Sequence, residues 1–479
     1  MSLQHALHSG FDRRLSKGRM DRSLLLFLVL QTALIVGWIV VGEIVYLPVV
    51  ITVVALAFVA STSLSVAIPL IILAHALVFV QRTEGISIAE VGFAFLFFGV
   101  ITVWMFDRLL VERQSLLVDA GDRPLILFLA LAASSLALAI GFESNILLWL
   151  RELLVFLSFL LFFPLRDLMR EKRGRRIVYA ALLLLALAIS VKNLIQYRSG
   201  LMLATYLWEV LRSRQTANEP LTMTILVGSI AVFMASGRRM IRIAALMIAA
   251  FFALALLVTF SRGYWLGAAL AVLVMFILGT RTERVRILQL GITLGLVVSA
   301  VMAVLFSDVV IALFLSVFGR FVSAATATTD ISVANRLIET QVVWDLILKN
   351  PLIGYGLGAK YSYYHLLRTV THDTEYVHNA YLYLWFKLGL PGLVIFLVMY
   401  LSKIRDGLRV AWTNQVDKSL RPFLVAAVAI LVAMLQISVT SPQFYARDSI
   451  LIITICWATI SAAQVRDGRT KGGGCSRDV

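Results

Sequence analysis

The residues with the type and setting for chemistry are His378, Arg262 and Arg336. The chain has six histidines, and three of them, His365, His372 and His378, fall between residues 307 and 387. His378, just before an apolar helix, opens the amphipathic stretch His378-Asn379-Ala380-Tyr381-Leu382, aimed at the membrane surface. An imidazole there is the side chain best suited to moving a proton near neutral pH. Arg262 stands in Thr259-Phe260-Ser261-Arg262-Gly263-Tyr264-Trp265, a very short turn between two apolar runs. A guanidinium in that setting is costly without a partner or a water-filled cavity. Arg336 lies on the polar side of a helical segment. Two guanidiniums that converge offer planar forks suited to a diphosphate.

Other polar groups carry less. Asp373-Thr374-Glu375 could hold a divalent cation, but no third carboxylate is near and no zinc spacing is present. We therefore expect neither a metal nor a cofactor. Gly354-Tyr355-Gly356-Leu357-Gly358 lacks the Lys-Ser/Thr that would follow in a phosphate loop and reads as a flexible turn. Arg151-Glu152 reads as a structural pair inside a span, and Lys192 as a snorkelling residue. Two cysteines, Cys456 and Cys475, give neither a disulfide framework nor a metal site.

The elements that position these residues must be membrane helices. Of 479 residues 60% are apolar and 15% charged, with a mean hydropathy of +0.91, far from the balance of a soluble domain. We place spans at 24–41, 44–60, 63–80, 89–106, 125–141, 146–163, 177–194, 221–235, 243–259, 264–279, 287–306, 388–404, 422–439 and 450–464. Twelve is the alternative count. The net charge of +16 would suggest a nucleic-acid partner in a soluble chain, yet 29 of the 43 Lys and Arg gather in seven short segments. Those segments occupy alternate loops, as cytoplasmic loops do. The surplus thus encodes orientation, with both termini cytoplasmic and no nucleic acid as partner.

This gives an all-α polytopic membrane protein of 12–14 helices. Residues 1–306 hold eleven spans, 307–387 form one large outer loop, 388–464 hold the last spans and 465–479 are a cytoplasmic tail. No cleavable signal peptide is evident. The loop 196–220, with Tyr206 and Trp208, suits a helix on the lipid surface. Within 307–387, Ser332–Leu348 has helical character, with Val333, Leu337, Trp344 and Ile347 on one apolar stripe. Asp330 or Ser332 can cap its start and Asn350-Pro351 should stop it.

At this point the motifs resemble a family. Ser261-Arg262-Gly263, Asn335-Arg336-Leu337 with Trp344, the run Asn350 to Gly358, His378-Asn379-Ala380-Tyr381-Leu382 and Gly389-Leu390-Pro391-Gly392 follow the order typical of the O-antigen ligase and Wzy polymerase superfamily. The resemblance covers roughly residues 240–405. It implies a GT-C-like, metal-independent, inverting glycosyltransferase in the bacterial inner membrane, with its site on the periplasmic face. The implied donor is a glycan on undecaprenyl diphosphate, and the acceptor is a saccharide such as lipid A core or another lipid-linked glycan. Arg262 and Arg336 match the family arginines that hold the diphosphate, and His378 the catalytic histidine. Asn379, Tyr381 and His372 are candidate supporting residues. A lipid-facing groove should admit the polyprenyl chain.

Ligation is favoured over polymerisation because the motif set reads most like the ligase branch. The competing class is transport, as a flippase or secondary transporter. Against it stand the lack of a two-half repeat, the scarcity of charge in span centres and the gathering of polar residues in one outer loop.

Overall fold

Apolar runs that cross a bilayer must satisfy their own backbone groups, and helices do so residue by residue. The computed structural model describes residues 64–79, 88–117, 120–202, 218–305, 331–366, 369–413 and 416–472. The expected spans 24–41 and 44–60, Asp330 as a cap, and residues 203–217 of the surface loop lie outside them. The helices are α1 (Leu64–Phe79), α2 (Ile88–Phe106), α3 (Arg123–Ser134), α4 (Leu136–Gly141), α5 (Ile146–Leu157), α6 (Phe162–Met169) and α7 (Lys172–Met202). They continue as α8 (Glu219–Ala235), α9 (Arg239–Leu257), α10 (Arg262–Leu278), α11 (Arg281–Leu305) and α12 (Ile331–Lys349). A hairpin of β1 (Tyr361–His365) and β2 (Val370–Thr374) precedes α13 (Ala380–Thr413), α14 (Arg421–Ile437) and α15 (Arg447–Gly472).

Six described helical stretches are long and apolar enough to cross a membrane: Gly92–Val111, Arg123–Gly141, Ile146–Met169, Lys172–Gly200, Arg239–Leu257 and Ala380–Trp412. Leu64–Ala76, Glu219–Ala235, Arg262–Leu278 and Arg421–Ile437 are apolar but shorter. The protein is thus an all-α polytopic membrane protein with one small hairpin added. Two boundaries shift from expectation. Helix α7 stays helical to Met202, beyond the expected end at 194, and α13 begins at Ala380 within the expected loop.

Contacts divide the chain into two compact units, residues 1–116 with 163–185, and residues 117–162 with 186–479. In the first, the half-buried Asp167 carboxylate accepts from Trp104 Nε1 at 3.1 Å and from Arg108 at 2.5 Å. His75 sits in α1 with its Nδ1 2.7 Å from the Ile71 carbonyl, satisfied inside its own helix.

The second unit holds every candidate site residue. Its core is α14 and α15, whose small residues Ala426, Ala427, Ala429 and Ala433 are buried and let neighbouring helices approach closely. Gly267 of α10 serves the same close approach, since a Cβ there would stand 2.5 Å from Ile437. Phe128, Phe156, Phe159, Phe396, Tyr400 and Trp457 fill the space between α3, α5, α13 and α15. Their rings meet in edge and stacked contacts, such as Phe159 on Trp457 at 5.2 Å.

Candidate active site

Helix α10 starts on a tight turn that its sequence builds from local bonds. Thr259 Oγ1 donates to the Leu256 carbonyl at 2.8 Å and accepts from Ser261 N–H at 3.2 Å. Phe260, fully buried, adopts φ +53°, a region bulky residues rarely occupy. Strain of this kind persists where the surroundings over-determine it, often beside a functional site. Ser261 Oγ then donates to Glu219 Oε1 at 2.9 Å, joining the start of α10 to the start of α8. Arg262 is the first residue of α10. A cation at a helix N-terminus opposes the macrodipole, so the position is favourable only with negative charge at hand. Glu219 supplies some, and the helix N-terminus itself favours an anion.

Helix α12 carries the second arginine. Its buried face is Asn335, Glu339, Val343 and Ile347, spaced at i, i+4, i+8 and i+12. That corrects the expected stripe: Ile347 is buried, whereas Leu337 is 64% and Trp344 37% exposed. The reason is that the cap folds onto its polar residues. Asn335 Oδ1 accepts from Leu366 N–H at 2.8 Å, holding the hairpin on the helix. Glu339 receives the His378 segment with both oxygens. His378 N–H donates to Oε1 at 2.6 Å, and His378 Nδ1 lies 2.6 Å from Oε2. A carboxylate accepts, so Nδ1 is the ring nitrogen that carries a proton here, and in the neutral ring the lone pair then falls on Nε2. That is the tautomer of a base ready to take a proton. The Glu339 side chain is 3% exposed and that of His378 34%, so the carboxylate is buried and the imidazole reaches the surface.

Aromatic residues fix the segment from both sides. Tyr361 OH donates to the Tyr376 carbonyl at 2.7 Å. Burial and the Glu339 carboxylate push the Tyr361 phenol up, so it stays a donor. The Tyr376 ring meets His378 edge-on at 4.9 Å. Behind it, Tyr445 OH bonds to the Val377 carbonyl and accepts from Val377 N–H at 3.1 Å. Gln443, two residues earlier in the same turn, donates from Nε2 to Tyr264 OH at 2.7 Å. The turn between α14 and α15 therefore ties the helix of Arg262 to the segment of His378.

A buried clamp holds the cap to the bundle. Lys387 Nζ, with no exposed surface, donates to Glu152 Oε1 at 3.0 Å and to the Ala359 carbonyl at 2.5 Å. Glu152 Oε2 accepts from Gly358 N–H at 2.7 Å. The sequence pairs Glu152 with its neighbour Arg151; the structure gives its carboxylate to Lys387 and Gly358. Helix α13 breaks at Gly389, where φ is +68° and a Cβ would stand 2.2 Å from the Leu352 carbonyl. Only glycine fits. The turn 350–358 closes on this break: Tyr355 and Gly356 N–H donate to the Phe386 and Lys387 carbonyls, each at 2.9 Å. It is a packed structural element, not a flexible loop.

The candidate supporting residues have identifiable partners. Asn379 Oδ1 accepts from Tyr381 N–H at 3.0 Å and Leu382 N–H at 3.2 Å, which makes it the N-cap of α13. Tyr381 OH donates to the Leu435 carbonyl at 2.8 Å and packs against Phe444. His372 lies on the hairpin opposite Tyr363, its ring 6.3 Å from that of His365. The Asp373 carboxylate accepts from Ser362 Oγ at 2.5 Å. No group of three or more His, Cys, Asp or Glu able to hold a metal occurs among the described residues. Glu339 is the residue that sequence reasoning missed. It lies four residues after Asn335 and four before Val343, a spacing that becomes a signal only once the fold shows that this face closes inward.

With this geometry in hand, residues 245–397 match a family model described as O-antigen ligase. The matched segment includes Arg262, Arg336, Glu339, His378 and Lys387. No curated protein matches the chain.

Proposed function

The chain carries a domain of the O-antigen ligase and Wzy superfamily in residues 245–397, and from that premise we propose that it is an inverting glycosyltransferase of the ligase type. It transfers a glycan from undecaprenyl diphosphate to a saccharide hydroxyl at the outer, periplasmic face of the bacterial inner membrane. The observation that carries this reading is the Glu339–His378 pair on the helix that also bears Arg336.

In the reaction, His378 Nε2 takes the proton of the acceptor hydroxyl as its oxygen attacks the anomeric carbon. The carbon–oxygen bond to the diphosphate breaks with its electron pair, leaving undecaprenyl diphosphate. Glu339 holds the ring in the right tautomer and stabilises the imidazolium once the proton arrives. Diphosphate is a good leaving group, so charge stabilisation matters more than a general acid. Arg262 and Arg336 provide it, and in-line attack inverts the anomeric centre. Asn379 and Tyr381 support His378 by fixing the start of α13.

Three outcomes follow. Glu339→Gln keeps the shape of the side chain but removes the charge, so kcat should fall about 10- to 100-fold with KM nearly unchanged. A pure KM effect would make Glu339 a donor-binding residue instead. Arg262→Lys keeps the charge but loses the fork, and kcat/KM for the lipid-linked donor should drop about tenfold or more. Transfer at the parental rate would remove bidentate diphosphate binding from Arg262. Because the arginines supply the positive charge, full activity is expected in excess EDTA. Activity lost to EDTA and restored by magnesium or manganese would revive Asp373 and Glu375 as ligands.

The experiment that tests the function is transfer by purified protein from a short undecaprenyl-diphosphate glycan, with and without lipid A core. A single addition that requires the core acceptor supports the ligase reading. A ladder on the lipid donor without added acceptor makes the enzyme a polymerase. Donor turned over in neither case, with the same protein moving lipid-linked glycan across vesicles, makes it a transporter.

A further inference from the structure

Helix α13 starts beside His378 and is long and apolar enough to cross a membrane. Its far end, about 24 Å beyond the break at Gly389, carries a feature that the reaction does not use. There Leu401, Ile404, Arg405, Leu408, Arg409 and Trp412 line a groove of about 450 Å³. At 100° per residue these positions form one face of the helix. The opposite face is closed against the bundle. Lys403 and Val410 are buried, and a Cβ on Gly407 would stand 2.5 Å from Val428 of α14. The groove therefore looks outward, to whatever surrounds the helices.

Its charge says what fills it. Residues 401–421 hold five Lys and Arg against two Asp. Lys403 turns inward, its Nζ 4.9 Å from the Phe162 ring centroid. Arg421 is bound to the Glu283 carboxylate at 2.8 and 3.0 Å. Arg405 and Arg409 instead line the groove. Four residues apart on a helix, their Cβ atoms stand about 5–6 Å from each other, so two guanidinium forks can reach one phosphate. The Arg405 side chain is 79% exposed, and its pair with neighbouring Asp406, at 3.6 Å, is too loose to compete. Leu401 and Ile404 lie on the membrane side of both arginines, where hydrocarbon is the surrounding medium. Trp412, 63% exposed, ends the row, as an indole does at the level of the headgroups. A soluble polyanion would match the arginines and leave the leucines uncovered. A zwitterionic lipid would bring its own cation to the guanidiniums.

We propose that this groove binds an anionic phospholipid, with its phosphate between Arg405 and Arg409 and one acyl chain along Leu408, Ile404 and Leu401. The site lies at the end of α13 remote from His378, and it stands independently of the transferase reading.

The test places the full-length protein in phosphatidylcholine vesicles with rising fractions of phosphatidylglycerol brominated in its acyl chains, which quenches indoles on contact. Brominated phosphatidylcholine is the control lipid, and the Trp412 signal is the difference between the parent and Trp412→Phe. The expected result is that phosphatidylglycerol is preferred at Trp412 about 20-fold, roughly fivefold for each guanidinium. Arg405→Gln/Arg409→Gln should bring the two lipids level. Equal quenching by both lipids in the parent overturns the proposal, as does a preference that survives the glutamine variant. Quenching of Trp412 by neither lipid, which a second copy of the chain seated on the groove would give, also overturns it. Should the glutamine variant not reach the membrane, Arg405→Lys/Arg409→Lys keeps both charges and loses the forks. An undiminished preference in that variant overturns the forked phosphate site.

Discussion

His378→Ala is expected to lower glycan transfer by about 10²–10⁴-fold, the usual contribution of a positioned general base. Donor binding should persist, because both arginines remain. The fold should persist as well. In the variant the backbone N–H of residue 378 still serves Glu339 Oε1, so the buried carboxylate loses one of these two bonds. That loss costs about 1–3 kcal/mol, an amount that thermal unfolding in detergent would register without abolishing the folded state. The decisive comparison is transfer against donor binding on one preparation. A variant that binds donor and turns over at the parental rate would exclude His378 from the chemistry.

Lys387→Met is the second large effect, on stability. Lys387 is fully buried, and its partner Glu152 retains 13% of its side-chain exposure. Removing the ammonium leaves the Glu152 carboxylate without its counter-charge, with Gly358 N–H and the Tyr383 phenol as its neighbouring donors. Breaking one side of a buried pair typically costs about 3–5 kcal/mol. The unfolding temperature should therefore fall sharply. Adding Glu152→Gln should recover much of the loss, since a neutral amide can still accept from Gly358 and demands no counter-charge. A single variant that unfolds at the parental temperature would mean that the cap is held by its backbone bonds alone. Because the clamp lies one helical stretch from His378, activity of the surviving folded fraction separates its structural from its chemical role.

Hydropathy and charge made the helices legible, because a bilayer punishes every departure from them. Arg262 stood out for the same reason, as a charge squeezed between two apolar runs. Residues 307–387 were harder to read. There water is an alternative solvent, and polar residues carry no address. The helix over Ile331–Lys349 was readable, but its inward face was not, since four apolar residues suggested a stripe of which only Ile347 lies on the buried face. Glu339 looked like any acidic residue on a helix. Its role depends on a partner 39 positions away, which local periodicity does not report. The hairpin was masked by its short strands, although Tyr361, Tyr363 and His365 alternate with Ser362 and Tyr364 as strand residues do. Lys387 and Glu152, 235 positions apart, became partners only through the tertiary fold.

The break at Gly389 bears on how enzymes of this kind could be recombined. Its free backbone carbonyls are engaged by the turn before the hairpin, and Leu390 N–H returns to the Pro351 carbonyl at 3.1 Å. Residues 350–358 and 386–392 therefore form one backbone-paired block. A chimera cut where the hydropathy changes, between 387 and 388, would split that block and leave each half without its complement. Exchange of this region between relatives should instead carry Asn350 through Gly392 as a single cassette, together with the residue that faces Lys387 at position 152.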